Sequence, residues 1–94
     1  MRVVWARSAT RDLEAISDFI SRDNPAAASR VTERIVALSR SLTEHPYLGR
    51  VGQAAGTREL VVTRTPYVIV YRLRDDFAEI VTVMHGARRW PNRF

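Results

Sequence analysis

His85, Arg88, Arg89 and Trp90 crowd together near the end of a 94-residue chain, just after strand-like runs that carry Arg58, Glu59, Arg72 and Arg74. Cleaving an RNA phosphodiester without metal requires a base for the 2′-hydroxyl, an acid for the leaving oxygen and cations for the phosphorane charge. His85 suits the acid or base, Glu59 a base, and Arg72, Arg88 and Arg89 the phosphate. The same residues also suit binding without chemistry. Arginine forks pair with phosphate or carboxylate, and Arg and Trp are the residues most enriched at interface hot spots. Purely structural roles exist as well. His85 at a strand end can bond to backbone, Glu59 can face an arginine across the sheet, and Trp90 can fold onto the domain edge.

Other chemistries are excluded. The chain has no Cys, hence no disulfide, no thiolate nucleophile and no thiolate metal ligand. The two histidines, His45 and His85, fall on different elements, and no helix repeats ligands at i, i+4, so no metal site is expected. Gly49, Gly52 and Gly56 match no phosphate-cradling spacing, so no nucleotide cofactor is expected. His45, just before Pro46, is placed to cap a helix C-terminus.

Length and composition set further bounds. A chain of 94 residues makes one domain, spanning 1–94, and its hydrophobic fraction of 46% is that of a globular protein. The apolar runs are short and no signal-peptide core is present, which points to the cytoplasm. The net charge is +5, and all of the cationic residues are arginine. Such a field favours an anionic partner, either nucleic acid or an acidic protein.

The elements that position these residues follow from periodicity. Arg2 to Trp5 reads as a short strand, with Trp5 in the core. Ser8 then reads as an N-cap, with Asp12 and Glu14 in the early turns near the positive end of the helix dipole. Ala9, Leu13, Ile16 and Ile20 form one helical face, ending near Arg22. Asn24-Pro25 restarts the helix, with Ala28, Val31, Ile35, Leu38 and Leu42 as the buried stripe, and Pro46 prevents its continuation. The short connection predicts an antiparallel helical hairpin.

Residues 46–56 hold three of the four glycines and read as a loop, the most mobile segment expected. Strands are predicted over Thr57–Thr63, Tyr67–Arg74 and Phe77–His85, the last two joined by a tight turn at Asp75-Asp76. Tyr67, Ile69, Tyr71 and Leu73 share one face and pack beneath the helices. Strict alternation groups Ile80, Thr82 and Met84 against Val81, Val83 and His85. The class is α+β: a short strand joining the sheet at one edge, a helical hairpin, and a three-stranded antiparallel meander. The helices cover one face of the sheet and the other face lines a groove.

The segments SATRDLEAISDFI, NPAAA and LTEHPYLGR, then TREL, PYVIVYRL and EIVTVMHGARRWP, resemble the ParE/RelE superfamily of toxins from type II toxin–antitoxin pairs. The resemblance covers nearly the whole chain and is most specific in the C-terminal half, where it looks like the ParE branch. It implies a βααβββ fold. RelE-like members cleave mRNA on the ribosome; ParE-like members poison DNA gyrase. The nucleases typically carry an Arg in the strand that here reads PYVIVY, where Val68 stands in its place. They also typically carry a C-terminal tyrosine, absent from RWPNRF. His85-Gly86 is the usual ParE-like ending.

The resemblance therefore implies a ParE-like toxin that inhibits DNA gyrase by binding, with no catalytic residues of its own, in the manner of plasmid-stabilizing pairs. A cognate ParD-like antitoxin would neutralise it in a hetero-oligomer by folding an acidic amphipathic segment over the groove. Arg58, Arg72, Arg74, His85, Arg88, Arg89 and Trp90 are the expected target and antitoxin contacts. The alternatives are a RelE-like endoribonuclease using His85, Arg72, Arg88 and Glu59, and a non-toxic member that only pairs with its antitoxin.

Overall fold

A computed structural model describes residues 1–87. The elements are β1 (Arg2–Trp5), α1 (Arg7–Ser21), α2 (Pro25–Arg40), a short 3₁₀ turn (Ser41–Thr43), β2 (Arg50–Val51), β3 (Arg58–Val61), β4 (Tyr67–Leu73) and β5 (Phe77–His85). They form one five-stranded sheet in the order β1-β5-β4-β3-β2, with β1 parallel to β5 and all other pairs antiparallel. The α+β class and the placement of β1 at a sheet edge agree with the sequence reading.

The helical hairpin forms as its caps dictate. Asn24 is extended and its side chain accepts the Ala27 N–H at 3.1 Å, while Pro25 occupies the first turn. The apolar stripes of both helices then dock on one sheet face. Ile16, Ile35 and Leu42 meet Tyr67, Ile69, Tyr71, Ile80 and Val83, with Leu13, Ile20, Val31, Leu38 and Trp5 around the rim. Burying each large apolar side chain contributes roughly 1.5–3 kcal/mol, which short isolated helices need in order to persist.

Four local expectations are corrected. Ser8 caps nothing: α1 starts at Arg7, two residues earlier than a Ser8 cap implies, behind an extended Ala6 and without a side-chain cap. The Ser8 hydroxyl instead donates to the Val81 carbonyl at 2.7 Å. The meander strand expected over Thr57–Thr63 is trimmed to Arg58–Val61, because the Val62–Thr65 turn begins sooner and holds Arg64 at φ 65°. An added strand, β2, forms inside the predicted loop, where Arg50 and Val51 pair with Glu59 and Arg58.

The fourth correction concerns β5. Its register against β4 shifts by one residue beside Val70 and Tyr71, so that Val70 faces Thr82 but Tyr71 faces Ile80. The bulge takes up Val81 and reverses the alternation. Ile80, Val83 and His85 thus lie opposite Tyr71, Ile69 and Tyr67, all on the helix-covered face. A strict two-residue period would have put Ile80 and Val83 on opposite faces, leaving one of them outside the core.

Candidate functional site

β1 pairs with β5 only from Phe77 to Ile80. Past that point α1 leaves the sheet edge, and among the described residues no strand pairs with the outer edge of β5. Side chains of α1 take over the first part of this edge. Ser8 bonds the Val81 carbonyl. The Asp12 carboxylate accepts the Val83 N–H at 3.3 Å and a short hydrogen bond from the Thr82 hydroxyl. Asp12 is therefore an edge cap rather than a partner of the helix dipole, where the sequence placed it.

Between α1 and this open edge lies a cleft of about 420 Å³, lined by Asp12, Ala15, Ile16, Phe19, Arg22, Tyr67, Val83 and His85. Asp12, Ala15, Ile16 and Phe19 follow helical spacing and form one wall. Phe19 is 66% exposed, an aromatic ring on a cleft rim rather than in the core. The cleft is apolar along its floor and carries one carboxylate, one guanidinium and one imidazole. It lies on the helix-covered face, so the groove expected on the opposite face is relocated. That opposite face is instead closed at its centre, where Val68, Val70 and Glu59 are buried.

His85 stands at the mouth of the cleft. Its ring meets Tyr67 edge-on with centroids 5.7 Å apart, and its Nδ1 accepts the Ala87 N–H at 3.1 Å. The Gly86 N–H bonds the Pro66 carbonyl, so the end of β5 is locked to the β3–β4 hairpin. His85 is thus the strand-end histidine bonded to backbone that the sequence allowed.

The sheet divides the other named residues. Glu59 faces Val70, and Arg72 faces Glu79, both on the side away from the helices. The Glu59 side chain is only 2% exposed, bonded to Arg50 at 3.1 Å and to the Gln53 N–H at 2.9 Å. Arg74 pairs with Glu79 at 3.0 Å. Arg58 reaches the Gly49 carbonyl at 2.7 Å and lies over the Tyr47 ring. Arg88, Arg89 and Trp90 lie outside the described residues. The base Glu59 and the acid or base His85 therefore sit on opposite faces of one sheet, Glu59 with both carboxylate oxygens already bonded. Among the described residues no three His, Asp or Glu side chains converge as metal ligands, and no helix is long and apolar enough to cross a membrane.

A second buried anchor is a group the sequence placed only in the core. Tyr71 is fully buried, and its hydroxyl donates to the Pro46 carbonyl at 2.7 Å and accepts the Gly49 N–H at 2.9 Å. Burial pushes its pKa up, partly opposed by the Gly49 hydrogen bond and the nearby Arg58 charge. With the Glu59 bonds, it ties down the loop expected to be most mobile. The glycine spacing marked that loop, but nothing in the spacing showed that a tyrosine and a glutamate would hold it.

Known proteins share this architecture. The ParDE system of P. aeruginosa superposes with a TM-score of 0.81 at 26% identity, over 90% of this chain and 95% of that one. The RelBE2 toxin–antitoxin complex of Mycobacterium tuberculosis gives 0.63 at 23% identity, covering 89% and 95%, a likeness of fold alone. In sequence, the protein Y4kP of Sinorhizobium fredii is 44% identical over 90 residues, 96% of this chain and 93% of the relative. Toxin RelE2 of Caulobacter vibrioides is 44% identical over 87 residues, 93% and 97% of the two chains. The family model described as ParE toxin of type II toxin–antitoxin system, parDE, matches residues 3–90. With that match spanning nearly its whole length, the chain belongs to the ParE toxin family.

Proposed function

We propose that this toxin acts by binding DNA gyrase and trapping its cleaved-DNA intermediate, and that a ParD-like antitoxin neutralises it. The observation that carries the reading is the division of the nuclease candidates by the sheet. Glu59 and Arg72 lie on one face and His85 on the other. General acid and base must reach the same phosphodiester within hydrogen-bond range, and a sheet between them prevents that. Glu59 is further removed from chemistry by burial and by its bonds to Arg50 and Gln53.

The cleft beside β5 supports the antitoxin half of the proposal. An amphipathic segment laid along α1 would cover Phe19, Ile16 and Tyr67 with apolar side chains. Carboxylates on its polar side would meet Arg22 and the positive field of a +5 chain. Arg88, Arg89 and Trp90, which follow His85 after Gly86 and Ala87, are proposed to carry part of the gyrase contact.

The name of the 44% identical Caulobacter relative, Toxin RelE2, keeps an endoribonuclease as the second reading. The deciding experiment is inhibition of gyrase supercoiling by the purified chain, with cleaved DNA trapped on a gel, beside Arg88→Ala/Trp90→Ala. Trapped linear DNA that disappears in the variant is expected. No effect on gyrase at large excess, together with truncated mRNA in a cell-free translation extract, would overturn the proposal in favour of the nuclease.

A further inference from the structure

The outer edge of β5 changes partner along its length. β1 holds it as far as Ile80, whose carbonyl accepts the Ala6 N–H. Ser8 then holds the Val81 carbonyl and Asp12 the Val83 N–H. Beyond that point no strand pairs with the edge among the described residues. Alternation identifies the groups left there. The Val83 N–H points outward to Asp12, whereas the Gly86 N–H points inward to the Pro66 carbonyl beside β4. Residues two apart in a strand direct their N–H and C=O groups to the same side. The Val83 carbonyl, the His85 N–H and the His85 carbonyl therefore line the outer edge, as acceptor, donor and acceptor at strand spacing.

We infer that this edge takes an extended segment of the antitoxin as a sixth strand beside β5. The inference rests on the toxin reading above and deepens it. Another polypeptide backbone matches these three groups in order. A phosphate backbone offers acceptors alone and would leave both carbonyls unmatched. A second copy fits poorly, because its own β5 edge is walled by α1 and two chains of net charge +5 repel.

The antitoxin is the occupant already assigned to the adjoining cleft, and the edge is continuous with it. Val83 and His85 line that cleft together with Ile16, Phe19 and Tyr67. Alternate side chains of a strand seated on the edge would point onto those three, and the intervening ones away. The segment therefore carries apolar residues at a period of two, not at helical spacing. Charge sets its placement. Asp12 lies at one end of the cleft wall, and Arg22 ten residues further along α1, about 15 Å away. The segment meets Asp12 with an uncharged side chain and Arg22 with a carboxylate. A segment that orders on binding enters such a cleft more readily than a folded surface does.

The test is amide hydrogen exchange of the full chain, free and in complex with its purified cognate antitoxin, read residue by residue by NMR. The Val83 and Gly86 amides, bonded internally, serve as references. Expected is a His85 amide that exchanges fast in the free chain and slows by about tenfold or more in the complex, with smaller changes at the references. Two variants separate hydrogen bonding from simple coverage. His85→Ala and His85→Pro both lose the imidazole, but only the second loses the N–H, and an edge position tolerates Pro. His85→Pro should weaken antitoxin affinity about threefold or more beyond His85→Ala. If His85→Pro fails to fold by circular dichroism, the exchange measurement decides alone. A His85 amide already slow in the free chain, or slowed merely by concentrating it, would overturn the inference in favour of the chain's own residues. Unchanged His85 exchange in a complex that Phe19→Glu weakens would overturn strand addition while leaving the antitoxin in the cleft. A chain that binds no antitoxin would end the toxin–antitoxin reading as well.

Discussion

The Tyr71 hydroxyl closes a two-bond bracket on Gly49 and Pro46, accepting the N–H of one and donating to the carbonyl of the other. This bracket joins the middle of β4 to the connection that follows α2. Removing it with Tyr71→Phe leaves a buried donor and a buried acceptor without partners. Each unsatisfied group costs about 1–3 kcal/mol, a large share of the stability of a domain this small. A fall in urea midpoint at unchanged m-value would confirm the effect.

Gly49→Ala should be at least as damaging, because the new methyl meets backbone as well as a ring at 2.8 Å. The neighbouring strands must shift to admit it, at a cost of roughly 1–3 kcal/mol. Gly56→Ala, with φ 75° but open space around it, should cost about 1 kcal/mol through backbone strain alone. Thermal unfolding of the two variants in parallel separates steric from conformational effects.

Alkaline pH should unfold the protein through Tyr71. Its folded pKa is raised, chiefly by burial. The folded state therefore favours the neutral phenol. The stability this contributes is fully present below the unfolded pKa of about 10, and is lost as pH rises from there through the folded pKa. With no Lys and no Cys in the chain, few other groups titrate in that window. Unfolding free energy measured from pH 8 to pH 11 should fall above about pH 10 in the wild type, and Tyr71→Phe should flatten that fall.

Asp12→Ala should uncap the β5 bulge. The Val83 N–H and the Thr82 hydroxyl both lose their acceptor. A loss of about 1–3 kcal/mol is expected, with faster hydrogen exchange at the Val83 amide than at Ile69 in the middle of β4. By contrast, Arg2→Ala breaks the Arg2–Asp76 pair, both partners of which are largely exposed, and the contact of Arg2 with the Phe77 ring, and should change the melting temperature little.

Phe19→Glu tests the cleft. Phe19 is mostly exposed, so the fold should be retained. Replacing an apolar rim residue by a carboxylate should repel an acidic antitoxin segment and weaken the complex by about tenfold or more, read by calorimetric titration. An unchanged affinity would place the antitoxin elsewhere on the surface.

Much of this architecture was legible in the amino-acid order because its signals are local. Asn24-Pro25 marks a helix start through a side-chain acceptor and a fixed φ, needing no knowledge of distant residues. The apolar stripe from Ala28 to Leu42 follows helical geometry, and the alternation of Tyr67, Ile69 and Tyr71 follows the pleat. The ParE-like motifs identified the family for the same reason, being contiguous runs.

Only the tertiary structure decided the rest, because it depends on contacts between residues far apart in sequence. The bulge at Val81 reverses the faces of β5, and it is fixed by pairing with β4 rather than by any residue type. Whether His85, Glu59 and Arg72 could act on one substrate was a question of sheet faces, and composition is blind to faces. Ser8 and Asp12 read as helix-start residues from their neighbours alone; they serve the β5 edge because β1 ends at Trp5 and leaves Val81 and Val83 within their reach. Tyr71 and Glu59 likewise anchor the glycine-rich connection only once β4 and β3 lie beneath it. Periodicity assigns each residue to an element, while the chemistry a residue performs is set by which elements the folded chain brings against it.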